Sequence, residues 1–136
     1  MPLEREAYER FAYTIQEAFP VIQRSTLVLV MYSSEGGILR GQLTFAGDIT
    51  LDVSEIVNFR TGQIEDYGYA VLRGGEILYW YDSQPHPHDP TLASTRPHHK
   101  HVPPDMKHHR IPAPGLAFSA SNLPFLIHEI EQTLLT

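Results

Sequence analysis

Between Ser83 and Pro114 the chain concentrates eight of its eleven prolines and seven of its eight histidines. The histidines are His86, His88, His98, His99, His101, His108 and His109. Each proline lacks a backbone N–H and drives the residue before it out of the helical region, so no helix or central strand is expected to persist there. The stretch therefore reads as a loop of 32 residues. Loops of that length are uncommon in compact domains and are usually functional or disordered. Charge is segregated with them. Arg96, Lys100, Lys107 and Arg110 oppose only Asp89 and Asp105, a local net of +2 in a chain of net charge −6. An acidic body presents one basic, imidazole-rich segment.

The remaining composition bounds the class. A chain of 136 residues is expected to form a single domain over 1–136, with the His/Pro-rich functional loop at 83–114. No run of 18 apolar residues suggests a membrane span, and the charged start Met-Pro-Leu-Glu-Arg-Glu does not resemble a signal peptide. The absence of cysteine removes disulfides and thiolate ligands and fits a cytoplasmic protein. A pI near 5.7 argues against broad nucleic-acid binding, though not against a small basic site.

Periodicity supplies the rest of the fold. Apolar residues at 8, 11, 12, 15, 18 and 19 predict an amphipathic helix over Leu3–Phe19, ended by Pro20. Val21–Tyr32, with its Leu-Val-Leu-Val-Met-Tyr run, reads as one long strand. Ile38–Phe45, Ile49–Phe59, Ile64–Leu72 and Glu76–Asp82 follow as strands, with a phase change near Glu55-Ile56 that marks a bulge. Arg73-Gly74-Gly75 is a hairpin turn, and the other connections are short. Leu123, Leu126, Ile127, Ile130 and Leu134 predict a final helix capped by Asn122. The expected fold is α+β: a five-stranded antiparallel meander sheet, an N-terminal and a C-terminal helix, and the long loop.

Two chemistries compete for the histidines. Imidazole titrates near neutral pH and serves as acid, base or metal ligand. RNA cleavage needs a base for the 2′-OH, an acid for the leaving oxygen and cations for the phosphate. His98, His99, Lys100 and His101 supply those types within four residues, with Arg96 close by. This reading needs no cofactor. The alternative is a binding module in which His86, His88, His99 and His101 hold a divalent transition metal such as zinc or nickel. A solvated histidine-rich surface loop is at least as common as a native metal site. Tyr67 and Tyr69 share one strand face, as do Tyr79 and Tyr81, with Trp80 on the other. Such pairs are most often cross-strand packing; Tyr67, Tyr69 and Tyr81 are also candidates for a stacking floor under substrate. Glu55 and Asp82 are candidates to orient an imidazole, although Glu55 also reads as a solvated outer-face carboxylate.

Four elements resemble the TumE-like toxin family. They are Leu51-Asp52-Val53-Ser54-Glu55, Tyr67-Gly68-Tyr69, Tyr81-Asp82-Ser83-Gln84-Pro85-His86, and Pro97-His98-His99-Lys100-His101. The last is the most specific. Where the family pattern has arginine before the Tyr-Asp and an aromatic before the Pro-His-His, this chain has Trp80 and Arg96. The resemblance implies the toxin half of a toxin–antitoxin pair acting on RNA, with a cognate antitoxin protein as partner. A homodimer is left open. In the resulting scheme His99 and His101 act together with His86, His98 faces the sheet, Lys100 and Arg96 hold phosphate, and Pro97–His101 is ordered against the sheet.

Overall fold

The computed structural model describes residues 3–135. The N-terminal helical pattern is realised in two pieces, α1 (Arg5–Tyr13) and α2 (Ile15–Ala18). They part at Thr14, whose hydroxyl turns back to the Arg10 carbonyl at 2.6 Å. Such back-bonding competes with the helical ladder. Tyr8, Ala12 and Ile15 form the buried stripe.

The expected strand over Val21–Tyr32 is also divided, into β1 (Arg24–Ser25) and β2 (Val28–Met31), both antiparallel to β3 (Gly36–Phe45). The interruption has a local cause. Opposite it stands Gly41 at φ +147°, where a Cβ would come within 2.5 Å of the Thr26 carbonyl oxygen. Glycine alone lets the two backbones approach so closely. Leu27 drops into the core at this step.

β4 (Ile49–Asn58), β5 (Gln63–Arg73) and β6 (Glu76–Asp82) continue the meander. The register shifts between Ile56 and Val57, one residue beyond the expected bulge. The described residues thus form eight antiparallel strands rather than five, in the order β1-β3-β4-β5-β6-β7-β8 with β2 also on β3. Beyond the division of the first strand, the additions are β7 (His99–His101) and β8 (Arg110–Pro112), inside the stretch where no strand was expected. β7 occupies the proline-free window between Pro97 and Pro103. β8 is the edge, and its Pro112 closes the strand where no ladder partner lies outside it. A 3-10 turn over Pro90–Thr95 buries Leu92 in the same stretch.

Strand alternation gives the sheet two unlike faces. One packs Leu51, Val53, Tyr69 and Tyr81 with the buried stripes of α1 and of α3 (Leu123–Thr133). Asn122 precedes α3 but makes no side-chain cap. Its amide serves Ala117 and the Tyr69 hydroxyl instead, because the approach to the helix is buried. Two cross-strand rows line the other face: Asp52, Ala70, Trp80, His101 and Arg110 in one, and Ser54, Gly68, Asp82, His99 and Pro112 in the next.

Candidate functional site

The second face gathers the titratable groups. β6 ends at Asp82 and β7 brings His99 opposite it, with His101 opposite Trp80. Asp82 Oδ1 lies 2.8 Å from His99 Nε2 and Asp82 Oδ2 lies 3.2 Å from His101 Nε2. The two Nε2 atoms are 3.1 Å apart. Trp80 donates its indole N–H to Asp82 Oδ2 and stacks on the His101 ring, and the Gln84 amide donates to Oδ1. His86, half-buried between Pro85 and Pro87, sets its ring edge-on to His99 with centroids 4.7 Å apart. One ligand atom from each of Asp82, His86, His99 and His101 fits within a mutual 4.8 Å.

Hydrogen bonding fixes the tautomers. His99 Nδ1 faces the Pro97 carbonyl at 2.9 Å, and His101 Nδ1 faces the Met106 carbonyl at 2.6 Å. A carbonyl only accepts, so both Nδ1 atoms carry hydrogen. Two neutral rings would then aim Nε2 lone pairs at each other and at a carboxylate. Three acceptors converge with no donor among them, and the cluster is complete only with a cation at its centre. In the protein alone that cation is a proton. Burial works against the His99 imidazolium, but the hydrogen bond to Asp82, the Pro97 carbonyl and the Asp82 charge together raise its pKa. Burial would raise Asp82, yet His99, Trp80 and the Gln84 amide outweigh it and hold the carboxyl at about 2. Burial lowers His101, with His99 and Arg110 adding to it against Met106 and Asp82. Desolvation, followed by Arg110 and His99, lowers His86.

Arg110 completes the site. It lies beside His101 in the row, its guanidinium reaches Asp89 at 3.7 Å, and its buried Nε has no hydrogen-bond partner. With Pro85, His86, Pro87, His88 and Asp89 it lines a shallow pocket at the mouth of the cluster. A second depression continues along the open face over Gly68 and Ala70, between Ser54 and Trp80. A larger, mostly apolar cavity lies between α1 and Phe59, lined by Tyr8, Phe11, Leu39 and Leu123; it contains no histidine.

The other candidates lie elsewhere. Alternation turns Lys100 to the helix face, where it meets Glu129 of α3 at 3.2 Å and sits 4.1 Å over the Tyr79 ring. His98 also turns that way, stacked on Tyr67 with Nδ1 at 2.6 Å from its hydroxyl. Tyr67 and Tyr69 stack at 4.9 Å within the core, and Tyr81 donates to Glu129. Arg96 donates to the Pro87 carbonyl. His88 is exposed and stands outside the cluster. Glu55 is wholly buried, not solvated, and accepts from Tyr8 and Tyr69. Of the two carboxylates expected to orient an imidazole, Asp82 is the one that touches histidines. Sequence reasoning had no site role for Trp80 or Arg110. Trp80 was detectable, since it alternates with Asp82 onto one face; Arg110 was not, because its position depends on β8.

A family model described as Toxin TumE matches residues 11–134. The chain belongs to the TumE toxin family. The match spans every strand and all four clustered residues of this TumE-family toxin. No curated protein and no solved structure matches it. Among the described residues, no helix is long and apolar enough to cross a membrane.

Proposed function

We propose that this TumE-family toxin cleaves RNA at the Asp82–His86–His99–His101 centre, and that a cognate antitoxin protein holds it in check. The observation that supports this most directly is the joining of a buried, cation-demanding imidazole–carboxylate cluster to a half-exposed imidazole and a guanidinium on one open sheet face. RNA carries its own nucleophile in the 2′-OH. A cleaving site must remove that proton, neutralise the phosphate and stabilise the leaving oxygen.

His86 is the imidazole an incoming ribose reaches first, and it serves as the base. Arg110, partly exposed in the lining of the adjoining pocket, binds the phosphate there. The positive charge held between Asp82, His99 and His101 faces the leaving oxygen. Trp80 stiffens this arrangement by stacking on His101 and holding Asp82. A chain of net charge −6 repels polyanions elsewhere, so productive contact is confined to this mouth and weakens with salt.

The test couples induced expression in a bacterial host to RNA cleavage by purified protein. The parent arrests growth and cleaves RNA. Arg110→Gln slows cleavage on the order of 100-fold, as loss of one preorganised charge donor does. His86→Ala slows it and removes the limb of the pH–rate curve that rises with deprotonation of the base. Parent-like cleavage by both variants would dismiss the assignment.

A further inference from the structure

We infer that the centre formed by Asp82, His99 and His101 is a binding site for a divalent transition metal of the zinc class, with His86 beside its open position. The inference concerns the centre to which RNA cleavage is assigned above, but it stands on ligand geometry and is tested by binding.

Three independent features point to a metal. The first is spacing. The two Nε2 atoms stand 3.1 Å apart, and the carboxylate sets Oδ1 2.8 Å from His99 Nε2 and Oδ2 3.2 Å from His101 Nε2. Three ligands of a tetrahedral zinc ion, each at its usual bond length, stand roughly 3.3 Å apart. The imidazole pair already stands close to that spacing, with a carboxylate oxygen beside each nitrogen. The second is ligand preparation. Metal-bound histidines characteristically donate the remote ring N–H to a carbonyl or carboxylate, which fixes the ring and directs the other lone pair at the metal. Both histidines do this, to Pro97 and Met106, and Asp82 is braced from outside by Trp80 and Gln84. The third is chemistry. Two imidazoles and a carboxylate, without thiolate, suit zinc, nickel, cobalt or ferrous iron rather than calcium or magnesium.

The arrangement also separates this site from adventitious binding. His88, His108 and His109 are exposed and contribute nothing to the cluster, whereas His99 and His101 are buried. An ion at the centre would displace the proton that otherwise answers the three acceptors. Three fixed protein ligands leave a fourth position, as catalytic zinc sites do. His86 lies within reach of that position.

The experiment uses the full chain, stripped with chelator and titrated with Zn(II) by calorimetry. One ion per chain is expected. His99→Gln and His101→Gln should lose that uptake while His88→Ala and His108→Ala retain it. Cobalt(II) loading of the unmodified chain is the second measurement, because it does not depend on a variant folding. Intense visible bands of a four- or five-coordinate ion are expected. The inference is overturned by absent stoichiometric uptake, by parent-like uptake in both His99→Gln and His101→Gln, or by the weak spectrum of a hydrated octahedral ion. RNA cleavage on the same samples keeps the two readings apart. Uptake without cleavage removes only the RNA assignment; cleavage by stripped protein that takes up no metal removes only the metal.

Discussion

Tyr69 donates its hydroxyl to Oε2 of Glu55 at 2.5 Å, in a core where Glu55 has no exposed surface. Tyr8 of α1 donates to Oε1 at 2.5 Å, and the Asn122 amide donates to the Tyr69 hydroxyl. One carboxyl group thus ties the first helix and the approach to the last one to the middle of the sheet. A buried hydrogen-bonded network of this kind specifies one arrangement and is costly to leave half satisfied.

The tie makes stability depend on pH. Burial raises the Glu55 pKa, and the hydroxyls of Tyr69 and Tyr8 only partly oppose it. The folded chain therefore keeps its proton to higher pH than the unfolded chain, whose glutamate titrates at about 4.3. This contribution is complete below that value and is lost as pH rises through the folded pKa. Glu55→Gln should flatten the profile. Urea midpoints of both proteins from acid to mildly alkaline pH would show it; parallel profiles would disprove it.

Lys100 is predicted to matter for folding and not for chemistry. Its ammonium is paired with Glu129 on the helix face, and both side chains are largely buried. Lys100→Met leaves Glu129 without its cation at a cost of about 1–3 kcal/mol. Denaturant unfolding should register that loss, while RNA cleavage per folded molecule stays at the parent level.

Gly41→Ala should destabilise by about 1–3 kcal/mol, the usual strain of a side chain in a backbone region it avoids. The steric cause is the 2.5 Å approach to the Thr26 carbonyl. Thermal unfolding measures the cost. Gly47, at φ +73° with no atom near its absent Cβ, supplies a comparison in which a side chain meets no steric contact.

Trp80→Phe keeps a ring on His101 but removes the N–H from Asp82. In metal-free protein the Asp82 carboxyl, held at about 2, should titrate higher. A depressed carboxyl stabilises the fold above its unfolded value of about 3.9 and loses that effect as pH falls through the folded pKa. The variant should lose it at less acidic pH. Carboxyl carbon NMR titration reads the shift directly; an unchanged Asp82 titration would refute the role given to the indole.

The meander from Gly36 to Asp82 was legible because alternation and glycine turns are local signals, and the pairing of short-linked strands follows from them. The division at Thr26-Leu27 was not, since it depends on Gly41, which meets it only across the sheet. Proline density concealed β7, whose three residues owe their conformation to partners in β6 and β8 rather than to propensity. Once β7 is a strand, alternation separates His99 and His101 from Lys100. The residue types at the centre were therefore visible in the chain, and so was the placing of His99 and His101 on one face. Their meeting with Asp82, and the arrival of Arg110, depend on register, which no local pattern encodes.

β7 is held by β6 on one side and by the three-residue edge strand β8 on the other. The geometry of the centre is thus set at the margin of the sheet. Neighbouring strands lie about 4.8 Å apart. Displacing β7 from β6 by that one spacing would carry both imidazoles off Asp82 together, so the cluster lasts only as long as this strand pair.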